Sequence, residues 1–159
     1  MTEPEALQWS TDTCTIQRAS EAIGDRWSLI VLRELFSGIQ RFDQLTVRTA
    51  VPRQVLTARL ARLTELGIVR RVPYQEPGQR TRDEYRLTPK GLDLYPVLMA
   101  LAAWGDCYLA DDGGPPVEFG HRGCEAPLGL VLRCDDGHEP STTRDVVGRP
   151  GPGARRRTA

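Results

Sequence analysis

The chain has 159 residues, 40% of them hydrophobic and 26% charged, with 21 Lys+Arg balanced by 21 Asp+Glu. That is the make-up of a soluble globular protein of one ordinary-sized domain with some tail. A formal net charge of zero excludes an overall basic character, so any contact with phosphate must come from where the charges sit. The N-terminus, Met-Thr-Glu-Pro-Glu, is acidic and leads into no apolar run, so no signal peptide is expected. The most apolar later segment, Val97 to Trp104, is far shorter than the roughly 20 residues of a membrane span. Cys14, Cys107, Cys124 and Cys134 form no CxxC pair and do not suggest a disulfide-stapled secreted domain, so a reducing cytoplasm is expected and no membrane.

In chain order, Ile16 to Ile23 reads as a short helix stopped at Gly24, and Asp25 stands where an N-cap would start the next. From Trp27 to Phe36 the apolar residues nearly encircle the helix, as in a buried central one. Ser37-Gly38 breaks it, and Arg41-Phe42-Asp43-Gln44-Leu45 begins another with Phe42 and Leu45 on one face. A further helix is predicted from Pro52 to about Leu66, stopped at Gly67. Leu56, Leu60 and Leu63 fall at i, i+4 and i+7 and must face the core.

The opposite side of that helix carries Gln54, Ala58 and Ala61, flanked by Thr57 and Arg62, with Arg53 at its N-terminal end. A helix that enters a major groove needs such a polar or small surface, with hydrogen-bonding side chains near its N-terminus. A solvated face with alanines by chance would show the same periodicity. After Gly67, Ile68 to Val72 and Arg82 to Leu87 read as two strands, the second placing Tyr85 and Leu87 on one face. Between them Glu76-Pro77-Gly78-Gln79-Arg80-Thr81 is turn chemistry. A hairpin with a basic tip after such a helix is a wing, in which Arg80 and Arg82 would meet phosphate or the minor groove. The stretch from Arg41 to Lys90 is locally basic, its acids being only Asp43, Glu65, Glu76, Asp83 and Glu84.

Thr88 is the expected N-cap of a last helix over Pro89 to Leu109, kinked at Pro96, with an apolar stripe of Leu94, Leu98, Leu101 and Trp104. A helix this long and apolar calls for a partner, read as a second copy; burial against its own domain is the competing account. Beyond Asp111 Gly and Pro become frequent, Leu128 to Leu132 is a candidate strand, and Arg155-Arg156-Arg157 lies near the end. The expected organisation is an N-terminal arm over 1–13, a winged helix-turn-helix domain with its dimerisation helix over 14–110, a Cys/His-containing extension over 111–148 and a disordered basic tail over 149–159. His121-x2-Cys124 and Cys134-x3-His138 are two N/S pairs of the kind a structural zinc would use; no other cofactor is indicated. No GxSxG, P-loop, GxGxxG or HExxH pattern is present and the two histidines lie in the tail, so no enzyme is expected.

Taken together, the chain resembles the HxlR-type winged helix-turn-helix regulators. The resemblance rests on Cys14, Ile23-Gly24-Asp25-Arg26-Trp27, Leu32-Arg33-Glu34-Leu35, Arg41-Phe42-Asp43-Gln44-Leu45, Val55-Leu56-Thr57-Ala58-Arg59-Leu60, Leu66-Gly67-Ile68-Val69, Glu84-Tyr85-Arg86-Leu87-Thr88 and Trp104. It implies a mainly α fold with a small β-hairpin wing, dimerising through terminal helices. It implies homodimers that bind inverted repeats near promoters as repressors or activators, repression being expected here, with Val51–Glu65 reading the bases and Arg70–Arg86 as the wing. A winged-helix protein-interaction module without specific DNA binding is the alternative. Pro52 departs from the small polar residue that relatives commonly have at the start of the reading helix.

The resemblance also bears on the cysteines. Cys14 matches a cysteine that senses oxidants or electrophiles in some relatives, and Arg18 one turn on would favour its thiolate; a small buried hydrophobe at the dimer interface is the other reading. Cys107 corresponds to cysteines that form disulfides across the dimer in some relatives. An oxidant or small-molecule effector is thereby implied. Relatives with a long tail usually carry a further Cys where this chain has Gly137. Either His138 stands in for that ligand or the site is lost.

Overall fold

The computed structural model describes residues 8–157. They fall into two compact units: 23–130, and a second formed by 8–22 with 131–157. In chain order the elements are helices α1 (Thr15–Ile23), α2 (Arg26–Phe36), α3 (Phe42–Thr49) and α4 (Arg53–Glu65), strands β1 (Val69–Tyr74) and β2 (Arg82–Leu87), helices α5 (Pro89–Leu92) and α6 (Tyr95–Tyr108), and a 3-10 turn at Thr143–Asp145. The fold is mainly α with a small β wing.

In the unit 23–130, α2 is the central helix, packed by α3, α4, β2 and α6. Asp25 caps it, accepting hydrogen bonds from the Trp27 and Ser28 backbone N–H groups at 3.1 Å each. The core is Ile23, Val31, Leu32, Leu35, Leu45, Val51, Leu56, Leu60, Leu63, Ile68 and Val69. Among these side chains sits one acid, Glu34, only 1% exposed. Its two carboxylate oxygens meet Arg33, one residue along, and Arg48 Nε of α3 at 3.1 Å. A buried carboxylate is tolerated only when so compensated, and the pairing ties α3 to α2.

Ala50, at φ +52, takes the left-handed step that turns the chain from α3 towards α4. At the far end of α4, Gly67 at φ +67 permits a Schellman closure: Ile68 N–H donates to Leu63 O and Gly67 N–H to Thr64 O, both at 2.9 Å. Lys90 Nζ adds a hydrogen bond to Leu66 O at 2.7 Å, a cation at the negative end of the helix. The strands pair antiparallel from Val69↔Leu87 to Tyr74↔Arg82. Tyr85 N–H donates to Gln40 O at 2.8 Å and Arg41 bridges to Glu84, so the segment before α3 joins the hairpin's edge.

The last helix differs from the continuous, kinked one expected. Thr88 does cap it, accepting from Gly91 N–H, but α5 ends at Leu92 and α6 starts afresh at Tyr95. Pro96 lacks an N–H and its ring would strike the carbonyl of residue 92, so it takes a first-turn place in a new helix. Gly91 is buried against the Ile68 backbone just before β1, where an added Cβ would overlap the Ile68 carbonyl oxygen. The reading of Leu128 to Leu132 as a strand is also corrected. Nearby there is an isolated bridge, Gly120↔Pro127, and Leu128 N–H donates to Phe119 O at 2.8 Å, but among the described residues no strand pairs along the rest of the run.

In the other unit, Cys14 O accepts from Arg18 N–H, placing Cys14 at the opening of α1. Trp9 bridges antiparallel to Arg156, with Ser10 N–H donating to Arg155 O and Arg157 N–H to Gln8 O. No helix among the described residues is long and apolar enough to cross a membrane.

Candidate nucleic-acid interface

Leu56, Leu60 and Leu63 of α4 are fully buried, as their spacing requires. That anchoring leaves Gln54, Thr57, Ala58 and Arg62 exposed away from the leucines, and Arg53 exposed in the first turn. The helix begins one residue later than expected: Pro52 has φ −54 and ψ 135, so it occupies the cap position and Arg53 the first turn. Pro52 has no side-chain group to cap with, and no side chain caps this helix. Its first N–H groups therefore stay available to an acceptor from outside, as at helix ends that bind phosphate.

Each side chain of the face has a defined setting. The Arg53 guanidinium lies 4.9 Å from the centre of the Phe42 ring, which steers it along α3. Thr57 Oγ1 donates to Arg53 O at 2.9 Å, leaving its oxygen free to accept. Arg62 makes only a long pair with Glu65, 3.7 Å. Arg59 points elsewhere, 3.1 Å from the Asp25 carboxylate at the start of α2. Burial would raise the Asp25 carboxyl; hydrogen bonds from the Ser28 side chain and backbone, the Arg59 charge and the Trp27 N–H outweigh it and hold the group below its ordinary value.

The hairpin tip runs from Gln75 to Thr81. Gln79 N–H donates to Glu76 O at 3.0 Å around Pro77 and Gly78, and Gly78 has φ +76, the chemistry of a type II turn. Arg80 and Arg82 are exposed and make no ion pair among the described residues. Below them lies a brace that no local pattern of residues announces. Arg41, at the start of α3, pairs with Glu76 and stacks 4.5 Å from the Tyr74 ring centre. The Glu76 hydrogen bond keeps the Arg41 guanidinium firmly protonated. Only the folded hairpin brings Glu76 back to Arg41, 35 positions earlier.

The remaining candidates belong to other elements. Cys14 is half-buried and Cys107 is exposed on α6; all four cysteines are free thiols. No residue of α6 is buried, and Trp104 is 57% exposed. An open groove of about 600 Å³ runs along α6, lined by Tyr95, Pro96, Met99, Val117 and Phe119 among others. His121 and Cys124 face each other across one turn, and Cys134 and His138 across another.

The HxlR-like helix-turn-helix family matches residues 22–112. An uncharacterized HTH-type transcriptional regulator of Mycobacterium tuberculosis (strain CDC 1551 / Oshkosh) is 41% identical over 145 residues, covering 91% of this chain and 90% of its own. The crystal structure of PA1607, a proposed transcription factor, superposes with a TM-score of 0.78 at 32% identity over 88% of this chain and 96% of that one. The redox regulator HypR in its oxidized form gives a TM-score of 0.56 at 26% identity over 62% of this chain and all of its own. The chain belongs to the HxlR-like helix-turn-helix family of DNA-binding transcriptional regulators, which are not enzymes.

Proposed function

We propose that the protein acts in the cytoplasm as a homodimer that binds an inverted repeat near promoters and represses transcription. In this reading α4 lies in the major groove of double-stranded DNA, Arg53 and Gln54 meet base edges, and Thr57, Ala58 and Arg62 follow the groove. Arg80 and Arg82 at the wing tip contact phosphate or the adjacent minor groove. The observation that carries the proposal is the division of α4: three leucines fully buried on one side, a close-approach polar face on the other. Dimerisation through α6 is supported by its exposed Val97, Leu101, Trp104 and Tyr108, an apolar surface that water leaves unsatisfied.

Selection of bound sequences from a random duplex library tests this. The expected product is a pseudo-palindrome whose half-sites lie about one DNA turn apart, bound with an affinity that falls steeply with salt. A protein that stays monomeric and enriches no sequence at low ionic strength would overturn it. The likeness to HypR favours an added layer, in which an oxidant or electrophile reaches Cys14 at the opening of α1 and alters DNA affinity. Oxidant then shifts operator binding of the parent and leaves Cys14→Ser unmoved, while Cys107→Ser reports on any disulfide between copies. The groove along α6 is the place for a small-molecule effector, being of ordinary ligand-site size.

A further inference from the structure

The chemistry left over by DNA recognition is concentrated in two turns of the tail. In the first, Glu125 N–H donates to His121 O at 2.8 Å, Gly123 and Glu125 take positive φ, and His121 Nδ1 lies 3.2 Å from Cys124 Sγ. In the second, Gly137 N–H donates to Cys134 O at 2.9 Å and Cys134 N–H to His138 O at 3.0 Å. Gly137, at φ +86, makes that turn possible, and Cys134 Sγ lies 3.5 Å from His138 Nδ1. Asp136 adds a carboxylate oxygen, and the three donor atoms of Cys134, Asp136 and His138 all lie within 4.8 Å of one another.

Those separations suit a direct sulfur–nitrogen hydrogen bond and equally a shared metal ion. Zinc holds sulfur at about 2.3 Å and imidazole nitrogen at about 2.0–2.1 Å, so a tetrahedral S–Zn–N angle sets the two donors about 3.5 Å apart. The Cys134–His138 pair has that spacing and the His121–Cys124 pair is within a few tenths of an ångström of it. Thiolate with imidazole is a borderline-soft donor set, which selects zinc over magnesium or calcium. All four side chains are exposed, so neither pair is explained by burial in an apolar core.

We propose that the Cys134–His138 turn binds a structural zinc ion through Cys134, His138 and Asp136. The ion's role is to give the tail a folding nucleus that its scarce apolar burial does not provide. This site is independent of the DNA-binding reading, and either can fail without the other.

The test uses the full chain, purified, loaded with zinc and desalted. The parent is expected to retain near-stoichiometric zinc, and cobalt substitution to show sulfur-to-metal charge-transfer absorption. Cys134→Ser with His138→Asn should lose both signals, and Cys134→Ser alone should lose the charge-transfer band. Cys107→Ser should match the parent. Helix content by circular dichroism, unchanged across the series, separates loss of a ligand from loss of the fold. A parent that stays metal-free after loading, or a Cys134/His138 double variant that keeps its zinc, would overturn the proposal.

Discussion

Helices α4 and α6 are close in length, 13 and 14 residues, and opposite in how they meet their surroundings. The first hides three leucines completely and shows arginine, glutamine and small side chains. The second hides nothing completely and shows valine, leucine, tryptophan and tyrosine. Trp104 and Tyr108 even stack on each other, ring centres 5.4 Å apart, on an exposed face. The contrast separates two kinds of unfinished surface: α4 is complete as part of a folded chain and offers polar groups to a polar partner, whereas α6 remains incomplete until something apolar covers it.

The sharpest way to break the comparison is to truncate a leucine in each helix. Leu60→Ala should destabilise the fold by about 3 kcal/mol, since it leaves a cavity in a closed core. Leu101→Ala should cost the isolated chain far less, and denaturant titration at several protein concentrations distinguishes them. Trp104→Ala should weaken self-association by about 2 kcal/mol, as for a central aromatic anchor, with little change in helix content; sedimentation measures it. Equal association in parent and variant would move the dimer contact off this face.

Smaller effects sharpen the α4 side. Gln54→Ala should relax preference at one base position by about 1–2 kcal/mol, read by competition between single-base operator variants. Arg80→Ala should instead lower affinity evenly across sequences and reduce the salt slope by about 1. The smallest change concerns the Asp25–Arg59 pair that orients α4 against α2. A carboxylate held below its ordinary pKa contributes stability that is complete above that value and drains away as pH falls through the folded-state one. Asp25→Asn keeps a capping oxygen and should cost about 0.5 kcal/mol at pH 7. The gap to the parent should begin to narrow below about pH 4 in thermal melts and close as pH falls through the lowered folded-state value, where the parent's own carboxylate takes up its proton.

The sequence showed whatever depends on near neighbours. Leu56, Leu60 and Leu63 announce a helix face by spacing alone, Asp25 and Thr88 announce caps by type, and β2 falls where its alternation puts it. The prolines were read less well because their position in a first turn is decided by backbone that the sequence does not display. Pro52 became a cap and Pro96 opened a new helix. The brace from Arg41 to Glu76 and the clamp of Glu34 by Arg48 were invisible for a different reason: their partners, 35 and 14 positions apart, become neighbours only when the helices and hairpin assemble. Leu128 to Leu132 misled in the opposite direction, since an apolar run makes a strand only where another strand receives it.

Gly91 carries a consequence for the proposed pair of copies. Its bare α-carbon lets α5 settle on the Ile68 carbonyl, and from that seat the chain departs into α6. The lack of one methyl group thus sets the take-off angle of the contact helix relative to the wing, and through it the stride between two reading helices. Alanine at this position would push α5 off the Ile68 carbonyl and, in the proposed pair of copies, alter that stride without touching a residue proposed to meet a base.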